Sequence, residues 1–149
     1  MYQGRIQSCR HQMQKAKEII VEARSWLDTP YCYQQAIKGV GVDCIQFVLS
    51  VLNNTNVSNN IELYKYSKIS NPNRIKEYLD LYGEEVKEPY VGCIVFWGVR
   101  PKIPTHFGFY SELHGKPAII HASSNIGKVV EHNIPKEQMA LIDSFWWVK

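Results

Sequence analysis

Gly39-Val40-Gly41-Val42-Asp43-Cys44-Ile45-Gln46-Phe47-Val48-Leu49 reads as a glycine-bearing loop running into an apolar helix, with a polar pair at the junction. Asp43 suits the N-cap, because a carboxylate there accepts from the free amides of the first turn. That places Cys44 in the first turn, where unpaired N–H groups and the helix dipole favour a thiolate over a thiol. Cys44 is therefore a candidate nucleophile. The other reading is a small buried apolar residue at the start of a core helix. His106 and His121, each in a strand-like segment further along, favour the first.

The rest of the composition narrows the class. The chain has 149 residues, 45% of them hydrophobic and 21% charged, which suits a globular domain with a real core. No internal repeat and no low-complexity stretch divides it, so residues 1–149 read as one domain. Net charge is +3, from 17 basic and 14 acidic residues, without a Lys/Arg run. That argues against a nucleic-acid partner and is compatible with a polyanionic surface such as a bacterial wall. The four cysteines, Cys9, Cys32, Cys44 and Cys93, form no C-x-x-C pair, so no zinc site is expected and no metal or cofactor is called for. Met1 to Gln14 carries no apolar signal-like core, and no apolar run is long enough to span a bilayer. The expectation is a protein synthesised in the cytoplasm without a signal peptide, with free thiols.

Residues 12–27 show helical spacing, with Met13, Ala16, Ile19, Ile20, Ala23 and Leu27 on one face. Asp28-Thr29-Pro30 ends that helix. The helix opened by Cys44 is predicted to run to about Leu52, burying Phe47, Val48, Val51 and Leu52. Residues 53–60 are polar and read as loop. Pro72 suits the first turn of a further helix to about Tyr82, with Ile75, Tyr78, Leu79 and Tyr82 inward and Gly83 as its stop. Glu84, Glu85, Lys87 and Glu88 read as a solvated charge cluster. Strands follow at 93–97, 106–110, 118–121, 128–132 and 145–148, with a turn at 114–117. Helices first and strands after them imply an α+β domain with helices packed on a central antiparallel sheet.

A cysteine peptidase needs an ionisable thiol, an imidazole to carry its proton and a third polar group to orient that imidazole. Cys44 fits the first role. His106 opens a strand after a proline-containing loop and fits the second. His121 ends the strand expected to pair with it across the turn at 114, and fits the third. His11, His114 and His132 are weaker candidates, His132 because it follows Glu131 in a charged stretch.

Trp26-Leu27-Asp28-Thr29-Pro30-Tyr31 and Gly41-Val42-Asp43-Cys44 together resemble the signature of the NlpC-type cell-wall cysteine peptidases, a papain-like family. Gly92-Cys93-Ile94-Val95-Phe96, Thr105-His106-Phe107-Gly108-Phe109-Tyr110, Ile119-Ile120-His121-Ala122 and Val129-Val130-Glu131 resemble its later blocks in order. The resemblance covers roughly residues 16 to 148. Gln35-Ala36-Ile37-Lys38-Gly39-Val40-Gly41 and Val99-Arg100-Pro101 are similar to the branch found in phage tail and gene-transfer-agent clusters. The chain departs from the cellular pattern at Gln34 and Gln35, at Ile45 and at Cys93.

The resemblance implies a papain-like fold with the nucleophile at a helix N-terminus. It assigns Cys44 as nucleophile, His106 as base, His121 as the orienting residue and Tyr31 as a substrate or oxyanion contact. Asp43 is a cap and a candidate contact for a substrate amine. Arg100, in a basic loop stiffened by Pro101 and Pro104, is a candidate to hold a substrate carboxylate. The implied activity is hydrolysis of amide bonds in peptidoglycan stem peptides, the D-glutamyl–diamino acid bond among them, with phage tail-like proteins as further partners. Such an enzyme would act at the wall once delivered or built into a phage-like particle. The alternatives are a thiol amidase or acyltransferase on another substrate and a non-catalytic wall-binding or tail component.

Overall fold

The structure, a computed structural model, describes residues 2–57, 77, 79–81, 83–98 and 105–148. Helix α1 spans Tyr2–Arg24 and α2 spans Cys44–Asn54. Between them lies a small hairpin of β1, Ala36–Ile37, and β2, Gly41–Val42. After α2 come β3, Gly83–Val86, β4, Ile94–Trp97, β5, His106–Leu113, β6, Lys116–Ser123, and β7, Lys128–Asn133. A one-turn helix α3, Lys136–Met139, precedes β8, Ile142–Val148.

The main sheet runs in the order β3-β8-β4-β5-β6-β7 and every neighbouring pair is antiparallel. This is the helix-plus-antiparallel-sheet arrangement expected from the sequence. Strand alternation gives the sheet two faces. Phe96, Phe107, Phe109, Ile120, Ala122 and Val129 face the helices and share one core with Phe47, Val48, Val51 and Leu52 of α2. The Phe47 ring meets Phe109 edge-on with centroids 5.8 Å apart. On the opposite face Val95, Trp97 and Ile119 form a second, smaller cluster.

Helix α1 begins ten residues earlier than the predicted 12–27 and stops at Arg24. Its end tightens: the amides of Trp26 and Leu27 bond to the carbonyls three residues back, and Asp28 turns left-handed at φ 70°. Ala16, Ile19, Ile20 and Ala23 pack inward as expected, whereas Met13 is 62% exposed and Leu27, past the helix end, is also exposed. Arg24, in the last turn where a cation complements the dipole, reaches across to β7. Its Nε and Nη2 donate to the Glu131 carboxylate at 3.1 and 3.0 Å. Gly92, at φ 100°, lets the turn before β4 approach α1; a Cβ there would lie 2.9 Å from Ala16 Cα.

Two expectations need correction. Gly83 opens β3 and does not merely end a helix, and the cluster after it includes a strand paired with β8. Glu84 and Glu85 do stay in solvent, as charges on an edge strand do. The turn expected at 114–117 closes sooner, and Lys116 and Pro117 already belong to β6. Of the helix expected at 72–82, residues 77 and 79–81 are helical and Leu79 is fully buried. Ile75, Tyr78 and Tyr82 lie outside the described residues.

The connection that places Cys44 is the segment between α1 and β1. Thr29 accepts from Val129 at 2.9 Å, and Tyr31 donates to Gly127 at 2.7 Å, so this segment pairs with the start of β7. Tyr31 in turn bridges Val42 in parallel. Cys44, two residues further on, is thereby carried to the end of the sheet where β4 and β6 finish and β5 and β7 start.

Candidate active site

Asp43 is extended at φ −105° and ψ 179°, and its side chain caps α2. One carboxylate oxygen accepts from the Gln46 amide at 2.9 Å, and the other accepts from the Gln34 amide at 2.7 Å. Asp43 is 1% exposed, so the same group ties the helix start to the turn before β1. Gln34 holds a left-handed conformation, φ 61°, which glycine adopts more readily.

Cys44 follows as the first residue of α2 and is 8% exposed. Its ionisation differs from the expectation. Burial, and then the Asp43 charge, push the thiol up to about 12, while the backbone amides of Ile45 and Cys44 pull the other way. The helix start does favour the thiolate, but desolvation outweighs it. The resting thiol is therefore neutral.

The two candidate histidines meet. His106 Nε2 lies 2.9 Å from His121 Nδ1. Trp97 holds both from one side: its ring centroid is 4.6 Å from that of His106 and 5.2 Å from that of His121, edge-on in each case. His121 is 7% exposed and His106 is partly buried. Burial pushes His106 down to about 4. His121 falls well below the ordinary histidine value, through burial first and then the neighbouring His106 and His132. Both rings are neutral at physiological pH.

Tyr31 sits on the Cys44 side of this end of the sheet. Its hydroxyl is raised to about 12, by burial first and next by the negative charge Cys44 carries once ionised. Cys44 is thus grouped with Tyr31 and Asp43, and His106 with His121. Among the described residues no hydrogen bond links Cys44 to either imidazole. Arg100 lies outside the described residues. Cys32, partly exposed, and Cys93, fully buried, are free thiols like Cys44, and the Cys9 side chain is not among those described. Among the described residues no group of three or more His, Cys, Asp or Glu side chains is arranged to hold a metal ion, and no helix is long and apolar enough to cross a membrane.

Three features of the site were not foreseen. His132 Nε2 lies 2.9 Å from His121 Nε2, so the residue set aside for its charged neighbourhood is part of the histidine cluster. Its register explains this: His121 pairs with Val130 and Ile119 with His132, which puts His121 and His132 diagonally on one face. The alternation of Val130 and His132 hinted at a shared face, but not at the register. Trp97 pairs with His106 across β4 and β5. Gly108 leaves room for His121, since a Cβ there would lie 2.8 Å from His121 Cβ and 2.5 Å from the Ile120 carbonyl oxygen.

No protein-family model matches the sequence. No curated protein matches it either. Solved structures do match the fold. An N-acetylmuramoyl-L-alanine amidase from Bacteroides uniformis superposes with a TM-score of 0.60 at 17% identity, over 91% of this chain and 99% of that one. The NlpC/p60 domain of the peptidoglycan hydrolase SagA gives 0.56 at 22% identity, over 90% of this chain and 97% of that one. The P60 domain of an antigen from M. avium subspecies paratuberculosis gives 0.58 at 17% identity, over 91% and 95%. Shared at such low identity across nearly the whole chain, the common property is architectural: this chain has the papain-like fold of the NlpC/p60 domains.

Proposed function

We propose that this protein is a cysteine peptidase or amidase that hydrolyses amide bonds in peptidoglycan stem peptides. What carries the reading is the His106–His121 contact at the end of the sheet to which the Tyr31–Val42 bridge brings the helix-borne Cys44. The peptidoglycan hydrolases and amidases among the structural neighbours supply the substrate class.

The mechanism follows from the resting charges. Cys44 is neutral and buried, so its proton leaves as the substrate carbonyl arrives, and His106 takes it through the nitrogen not engaged with His121. Sulfur attacks the amide carbonyl, and first-turn amides with the Tyr31 hydroxyl stabilise the oxyanion. The His106 imidazolium then protonates the leaving amine. Water, deprotonated by the same ring, cleaves the thioester and restores the thiol. Asp43 holds the nucleophile's helix in place, and a contact with a substrate amine is its second proposed role. Arg100 is proposed to hold a substrate carboxylate.

The finer reading is a D-glutamyl–diamino acid endopeptidase working at the wall after delivery in a phage tail-like particle, supported by the resemblance of residues 35–41 and 99–101. Mass analysis of muropeptides digested by wild type and by Cys44→Ala tests the proposal. Cleavage by wild type alone supports it, and the product masses assign the bond. Equal turnover by Cys44→Ala, or no cleavage by either, overturns it.

A further inference from the structure

We propose that His132 is a positioning residue: with the Asn133 carbonyl it fixes the direction of a three-histidine relay, so that the basic lone pair emerges at His106 Nδ1. The inference rests on the reading of His106 as the base. His132 was assigned no part in that chemistry, and nothing in the triad requires a fourth member.

The Asn133 carbonyl oxygen can only accept. His132 Nδ1 lies 2.9 Å from the Asn133 carbonyl oxygen, so Nδ1 carries the proton. In a neutral imidazole the other nitrogen is then bare. His132 Nε2 is 2.9 Å from His121 Nε2 and must accept, so the His121 proton sits on Nε2. His121 Nδ1 is bare in consequence and accepts from His106 Nε2–H, again at 2.9 Å. One place remains for a lone pair, and it is His106 Nδ1. Each bond leaves a single choice for the next, and the choice at the far end decides where the base is.

The end of the relay is itself held. The Asn133 side-chain amide donates to the Leu113 carbonyl at 2.8 Å, and Ile134 donates to Pro117 at 3.0 Å, which fastens the end of β7 to the β5–β6 hairpin. The nitrogens face one another in sequence and do not converge on a common point, so the cluster is built to order protons. Without an acceptor at position 132, the His121 proton could sit on either nitrogen. On Nδ1 it would point at His106 Nε2, force that nitrogen to accept, and move the His106 proton to Nδ1. A ring protonated there cannot take the thiol proton. Holding a catalytic imidazole in its productive tautomer is a recognised role for the group behind it.

Nitrogen-15 NMR of the imidazoles near pH 8 reads the relay directly in the intact protein. The expected pattern is a proton on Nδ1 of His132 and on Nε2 of both His121 and His106; His121 protonated at Nδ1 overturns the proposal. His132→Phe keeps a ring but removes the acceptor. It is expected to mix the His121 tautomers and to lower kcat on muropeptides on the order of ten- to a hundredfold, the range for losing an orienting partner, with KM unchanged. His132→Gln, whose amide oxygen can stand where Nε2 stood, is expected to restore kcat to within about threefold of wild type. Wild-type kcat in His132→Phe, or no rescue by His132→Gln, overturns it. Cys44→Ala is expected to keep the wild-type tautomers, so a failure of the peptidase reading shows in the digest and a failure of the relay shows in the spectrum.

Discussion

Trp97 stands directly opposite His106 in the β4–β5 ladder, and its indole is the common wall of two imidazoles, 4.6 Å from one ring centroid and 5.2 Å from the other. Both contacts are edge-to-face. Packed against both, the indole restricts the planes of the two imidazoles.

Removing that wall has two effects that can be separated. Trp97→Ala leaves a cavity in the smaller core cluster and is expected to cost about 3–5 kcal/mol in chemical denaturation. Trp97→Phe keeps most of the packing. It is expected to lower kcat on muropeptides by less than Trp97→Ala while recovering most of the stability.

Gly108 is where His121 gets its space. The backbone there is not left-handed, so the constraint is one of room. Gly108→Ala is expected to destabilise the protein by about 1–3 kcal/mol, the usual range for overpacking. Its nitrogen-15 spectrum should show displaced His106 and His121 signals; an unchanged spectrum with wild-type stability would mean that the strands separate without loss.

Asp43 raises the Cys44 thiol while capping its helix, so its neutralisation has opposite effects on reactivity and stability. Asp43→Asn removes the charge and keeps an acceptor. The alkylation rate of Cys44 by iodoacetamide, followed against pH, is expected to have its midpoint moved to lower pH. Asp43→Ala loses the cap as well and should cost about 1 kcal/mol or somewhat more, because the Gln34 amide also loses its acceptor.

Protonation of the buried histidines is expected to weaken the fold in acid. Their folded-state pKa values are depressed, so between the ordinary value of 6.5 and about 4 the unfolded chain binds more protons than the folded one. Stability attributable to the neutral rings is fully present above 6.5 and is lost as pH falls towards 4. Thermal midpoints measured from pH 8 downwards should fall across that window. In His121→Phe the fall should be shallower; an equally steep fall would place the acid sensitivity elsewhere.

The role proposed for Arg100 is tested by a substrate pair. Arg100→Ala is expected to raise KM for a muropeptide bearing a free carboxylate more than for its amidated analogue, since a guanidinium fork binds the charged group bidentately. Equal effects on both would leave Arg100 as a support residue.

The sequence by itself determined the main helices and most strands of the sheet. The run of apolar residues after Asp43-Cys44 read as a buried helix with its cap, and Phe47, Val48, Val51 and Leu52 are buried as that reading expected. The alternation and order of the later segments announced an antiparallel sheet, and His106 and His121 stood at the positions from which their strands bring them together. These features are local, set by capping, periodicity and side-chain type. Tertiary structure decided what depends on register and burial. The diagonal placement of His132 beside His121 follows from which residues of β6 and β7 face one another, and a one-residue slip would have turned His132 to the other face. Strand β3 carries too many charges to read as a strand and exists because β8 offers it an edge. The neutral resting thiol of Cys44 was likewise beyond the sequence: a helix N-terminus favours the thiolate, but how deeply the side chain is buried is a property of the packed molecule, and there desolvation prevails.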